Sequence, residues 1–315
     1  MSTSTATPTS SPARSPAKQN EHAVTAISIL IVVGGALLYA YWNSLFEAST
    51  AWSNGLYSHG YFVPLFTAVL LWLRQKPFAA VPVAERWAGA GLLLLGLALR
   101  MLCARYRIIT VDMYSFVPSV AGLFLLAGGL RTLRWAGPPV AFLIFMFPLP
   151  NKAEQSIIWP MQGVATQAST YVFQTIGFDA FYEGNKINVD GREMNVVDQC
   201  SGLRMATIFL ALAVAVTMIT SRSWWEQAII ILSAIPIALA ANVVRIVTTG
   251  LLQALVSDHV SHFFHEHLAA FLMMPLALGL LFFELWLLGK LVIDEDAADL
   301  MPVSVGLPRR KVVAG

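Results

Sequence analysis

The sequence predicts an all-α fold: a polytopic transmembrane helical bundle of about eight spans, with an extracytoplasmic cap segment between spans five and six. Three observations predict it. Hydrophobic residues make up 57% of the 315 positions and charged ones only 12%, about half the roughly 25% charged share of a soluble domain. Mean hydropathy is +0.66, and apolar runs approaching ~20 residues recur, the length a membrane-crossing helix needs. Lys and Arg gather in alternate loops, as orientation in a bilayer requires. The net charge of +2 is too small to suggest nucleic acid, so membrane lipid is the expected surroundings.

Residues 1–22 are rich in Ser, Thr, Pro and Ala and nearly devoid of apolar side chains, which predicts a disordered cytoplasmic tail. The apolar run from Ala23 to Trp42 is too long for a signal-peptide core and lacks a small-residue cleavage site, so it reads as a retained first span. The spans are expected near 24–42, 61–73, 88–103, 116–130, 137–150, 202–220, 227–252 and 268–290. The membrane domain therefore covers 23–293, and 294–315 forms a cytoplasmic C-terminal tail.

Arg14 and Lys18 precede span one. Arg74, Lys76 and Arg86 follow span two, Arg131 and Arg134 follow span four, Arg222 follows span six, and Lys290 with Arg309, Arg310 and Lys311 follows span eight. An even number of spans puts these on one side, which the positive-inside rule makes cytoplasmic. Arg105, Arg107, Lys152, Lys186 and Arg192 are exceptions on the other side. The long outer loop 151–199 holds Ala153 to Ile176, mixed polar and apolar like an interfacial or cavity-lining helix. A short hairpin is expected around Asp190-Gly191. Such a segment would cap a site at the membrane surface.

Three scarce polar groups fall at the outer ends of neighbouring spans. Cys200 lies in Asn195-Val-Val-Asp-Gln-Cys-Ser-Gly-Leu-Arg204, before span six, where a helix N-terminus and a nearby cation favour thiolate. Arg204 is one turn on, at i+4. A buried structural thiol is the bland alternative. Arg245, in Asn242-Val-Val-Arg-Ile, lies about two turns inside the outer end of span seven. A guanidinium there faces a polar interior or partner; it would stabilise an oxyanion or form an ion pair with Asp198 or Glu266. His259, His262, His265 and His267 open span eight, and one of them would carry a proton for the thiol. His265 is the first choice and His267 the second. His262 and Glu266 stand one turn apart, a spacing that also suits a metal. His59, in Tyr57-Ser-His-Gly-Tyr-Phe-Val-Pro64, reads as a belt or turn residue, with lining a pocket as the alternative. Cys103 reads as structural.

The segments Tyr57 to Pro64, Phe147-Pro-Leu-Pro150, Cys200-Ser-Gly-Leu-Arg204, Ile235 to Arg245 and the His-led last span together resemble the exosortase family, in family order across about 40–292. That resemblance implies a bacterial inner-membrane transpeptidase whose active site faces the periplasm. It implies a Cys–Arg–His triad of Cys200, Arg245 and His265, with His267 and Arg204 as further catalytic or substrate-positioning residues. It implies exported protein partners carrying a PEP-CTERM-type C-terminal signal of motif, helix and basic tail. An envelope acceptor that the sequence leaves unspecified would receive the product. The family usually has glycine about one turn after the histidine, where this chain has Ala269 or Ala270. No metal or organic cofactor is needed. The alternatives are a transporter, which would need polar groups across many spans where spans one to five offer almost none, and a lipid-modifying membrane transferase.

Overall fold

The computed structural model describes residues 16–53, 57–196, 203–220, 222–256 and 269–291. Helix α1 (Pro16–Ala40) starts before Ala23, and α2 (Trp42–Ser53), which hydropathy alone did not separate, follows at once. A 3-10 turn (Ser58–Tyr61) leads into α3 (Phe62–Arg74), followed by α4 (Val83–Tyr106), α5 (Ile109–Tyr114) and α6 (Phe116–Phe142). After a second 3-10 turn (Leu143–Met146) come α7 (Asn151–Ile176), a small sheet, α8 (Leu203–Ile219), α9 (Trp224–Leu255) and α10 (Ala269–Leu291). Among the described residues four stretches are long and apolar enough to cross a membrane: Asn20–Ala40, Val83–Tyr106, Ile109–Met146 and Trp224–Leu255. The chain is a multi-pass membrane protein.

The third of these stretches is folded back on itself. Gly129 sits at φ 69 and ψ −169 inside α6, a conformation that glycine adopts without steric cost. An unbroken helix of 27 residues would hold its ends ~40 Å apart at 1.5 Å per residue. Instead the Phe116 and Phe147 rings stand 6.2 Å apart, and Phe116 and Phe142 share one core cluster. The two arms correspond to expected spans four and five. At the reversal the Glu85 carboxylate accepts from Leu130 N–H at 2.8 Å, joining the start of α4 to the turn. Ser223 and Glu226 form the capping box that opens α9, and Glu226 also pairs with Arg222 at 3.0 Å.

Spans one to five carry more polar chemistry than hydropathy suggests. The Tyr41 hydroxyl lies 2.8 Å from Ser115 Oγ and 3.0 Å from Ser119 Oγ. Arg100 pairs with Asp112 at 3.1 Å, hydrogen-bonds Ser44 and stacks 4.4 Å above the Tyr41 ring. Each helix contributes one or two of these groups, too few to depress an apolar window. Only packing brings them together.

The sheet has order β1-β2-β3, with β1 at Ala180–Glu183, β2 at Lys186–Val189 and β3 at Arg192–Asn195. The expected turn at Asp190-Gly191 is present, both residues having positive φ. A second hairpin turns at Gly184, so the segment is a three-stranded meander. Ile187 and Val189 point into a cluster with Ala165 and Phe173 of α7 and Ile246 and Val247 of α9.

Helices α8 and α9 form an antiparallel pair around Met205, Ala206, Phe209, Ala234, Ala238 and Ala241. With 32 residues against 17, α9 outruns α8 by about 20 Å at 1.5 Å per residue. Its projecting end carries the sheet and α7.

Candidate active site

Arg245 is 3% exposed and lies where α9 leaves one apolar cluster for the next: Ala241 belongs to the α8 cluster, Ile246 to the sheet cluster. Helix α9 ends at Leu255, so Arg245 is nearly three turns from its end, deeper than the two turns expected. Asn242, one turn before it, and Thr249, one turn after, are also buried. Arg204 lies in the first turn of α8. Cys200, His265 and His267 lie outside the described residues, as do His259, His262 and Glu266. Cys103 is a buried free thiol. Among the described residues no group of three His, Cys, Asp or Glu side chains could hold a metal ion.

A cavity of about 500 Å³ opens beside the first turns of α8, lined by Tyr57, His59, Phe147, Met161, Ala206 and Leu210 among others. His59 is therefore both a turn residue and a cavity residue. Its Nε2 lies 3.1 Å from the Phe145 carbonyl oxygen, which assigns the proton to Nε2 in the neutral ring. Burial lowers its pKa. The Tyr57 hydroxyl accepts from Leu149 N–H at 3.1 Å; burial, with the Glu154 carboxylate beside it, raises the phenol above its ordinary range. Gly60 is required here, since a Cβ would stand 2.3 Å from the Trp52 ring.

Sequence reasoning missed a buried polar face on α7. Gln162, Thr166, Ser169 and Thr170 are each at most 3% exposed, and the first three recur at i, i+4 and i+7. That spacing within Ala153 to Ile176 was the signal that could have found them. Asn185, in the first hairpin turn, donates to Gln162 Oε1 at 2.7 Å.

The fold defines a helical membrane protein with polar side chains buried where its helices pack. A family model described as transmembrane exosortase matches residues 51–283, and the chain belongs to that family. Membership makes it a membrane transpeptidase in the broad sense, acting on exported proteins. No curated protein and no solved structure matches the chain.

Proposed function

We propose that the protein is a cysteine transpeptidase of the bacterial inner membrane. In this reading it has eight crossings, the α7–sheet segment as a periplasmic cap, and a reaction centre of Cys200, Arg245 and His265. The observation that carries the reading is Arg245, a guanidinium buried at the junction of the membrane and cap clusters. A buried cation of this kind marks a functional site by default. Chain geometry supports its pairing with the thiol. Counting equally back from the α8–α9 turn puts Leu203 level with Ala240, and Met205 and Ala206 pack in one cluster with Ala238 and Ala241. Cys200 precedes Leu203 by three residues, and Arg245 follows Ala240 by five, about 7.5 Å along the axis.

The C-terminal helix of an exported protein enters laterally, and the apolar cavity beside α8 suits the residues next to its cleavage motif. The Cys200 thiolate attacks the peptide carbonyl carbon, forming a C–S bond and a tetrahedral oxyanion that Arg245 stabilises. The C–N bond breaks as imidazolium gives its proton to the departing amine, leaving a thioester. An acceptor nucleophile then attacks the thioester, its proton passes to the imidazole, and thiolate is released. His267 is the alternative proton carrier, and Arg204 tunes the thiol or positions substrate.

The test is cleavage of a co-expressed exported protein ending in motif, apolar helix and basic tail. Cys200→Ser, Arg245→Ala and His265→Ala should each abolish processing. Full processing by Cys200→Ser would end the proposal.

A further inference from the structure

The buried face of α7 lies against α9 at the level of Arg245. Helix α7 runs alongside α9 in the same direction: Met161 packs with the cluster of Ala238 and Ala241, while twelve residues later Phe173 meets Gly250. Arg245 lies five residues before Gly250, and the residue five before Phe173 is Ala168. Ser169 and Thr166 therefore bracket the level of Arg245 within about 3 Å along the axis, at 1.5 Å per residue. Both are 0% exposed.

Their side-chain oxygens make no hydrogen bond among the described residues. Their neighbours behave differently. Ser156, Thr170 and Thr175 on the same helix each donate to the carbonyl four residues back, the ordinary way for a helical hydroxyl to satisfy itself. Leaving a hydroxyl buried and unsatisfied is unfavourable. Two such groups, one turn apart and facing one neighbour, form a prepared surface for a donor.

We propose that Thr166 and Ser169 are positioning residues for Arg245, accepting hydrogen bonds from its guanidinium when substrate is engaged. This rests on the role given to Arg245 above. A guanidinium has five N–H donors in a rigid fork, and an oxyanion takes at most two. Acceptors for others can come from a neighbouring helix in a layer closed to water. Hydroxyl oxygens supply them without adding negative charge, so the cation's field stays directed at the reacting carbonyl. Hydrogen bonds of this kind are commonly loose before substrate binds and tighten in the complex.

The experiment uses the full chain reconstituted in vesicles with a purified exported protein bearing the three-part C-terminal signal. Thr166→Val, Ser169→Ala and the double variant should lower the processing rate at saturating substrate by about tenfold or more, as loss of oxyanion support does. KM should stay within about twofold, and Thr166→Ser should keep near-normal rate. Alkylation of Cys200 should keep its pH profile, which a general loss of structure would not preserve. If Thr166→Val fails to accumulate, Ser169→Ala carries the same test, since it removes a single oxygen. A double variant at full rate, a loss confined to KM, or equal impairment in Thr166→Ser overturns the inference. If Cys200→Ser and Arg245→Ala are inactive while the double variant is fully active, only this inference falls. Full activity of Cys200→Ser would instead remove the reading on which it rests.

Discussion

Gly250 of α9 and Phe173 of α7 approach so closely that a Cβ on the glycine would stand 2.5 Å from Phe173 Cζ. The same Cβ would stand 2.6 Å from Met194 Cε in β3. One glycine thus seats both α7 and the sheet on α9, five residues beyond Arg245. Gly250→Val should push Phe173 out of its fully buried site and lower processing at least tenfold. The full-length yield in membranes should fall much less, because the α8–α9 pair does not depend on this contact. Processing rate normalised to protein level checks it.

The backbones of α4 and α6 touch through two glycines. A Cβ at Gly89 would stand 2.4 Å from Leu126 N, and one at Gly122 2.5 Å from Leu93 N. Backbone atoms cannot rotate away as side chains can, so small residues are needed at such a crossing. Gly89→Ala or Gly122→Ala should cost about 1–3 kcal/mol, the usual range for overpacking. A lowered thermal midpoint in detergent measures it. Gly91, with open space around it, should tolerate alanine.

Asp112 holds Arg100 in a mostly buried pair. Asp112→Ala leaves that guanidinium buried without its carboxylate and should destabilise by about 3 kcal/mol, as breaking a buried pair does. Tyr41→Phe removes one hydroxyl whose serine partners also bond backbone carbonyls, and should cost about 1 kcal/mol. Detergent melting of the two variants gives the comparison.

His59 carries a pH dependence of known sign. Burial holds its pKa below the ordinary 6.5, so the unfolded chain binds a proton at higher pH than the folded chain does. Above about 6.5 both states are neutral and the full stability is present. As pH falls through 6.5 toward the lower folded value, stability is lost. Melting between pH 8 and pH 5 should show this decline, and His59→Phe should flatten it.

The crossing segments and the buried guanidinium were legible in the sequence because hydropathy and one stray charge are local signals. Expected spans one, three, four and seven, and most of five, fall largely on stretches among the described residues that are long and apolar enough to cross a membrane, and Arg245 is buried. The reversal at Gly129 was read only as a gap between two spans, since a single glycine does not announce a positive φ. The Tyr41–Arg100–Asp112 group was not legible, and the Thr166–Ser169 face showed only as a polar spacing along Ala153 to Ile176. Their members are far apart in the chain, or scattered among apolar neighbours, and become a site only when helices pack. The added depth of Arg245 has the same origin: the last turns of α9 are held by contacts with the sheet, such as Arg192 donating to the Gln253 carbonyl, that hydropathy cannot register.

The central claim is that a sulfur at Cys200 forms a covalent bond to the substrate. It is tested most directly by arresting the full chain during processing of a signal-bearing exported protein and determining the mass of the peptide that contains Cys200. The account predicts an adduct of the cleaved substrate on Cys200 that hydroxylamine releases and that Arg245→Ala prevents. Continued processing with an unmodified Cys200, and the same rate in Cys200→Ser, would contradict it.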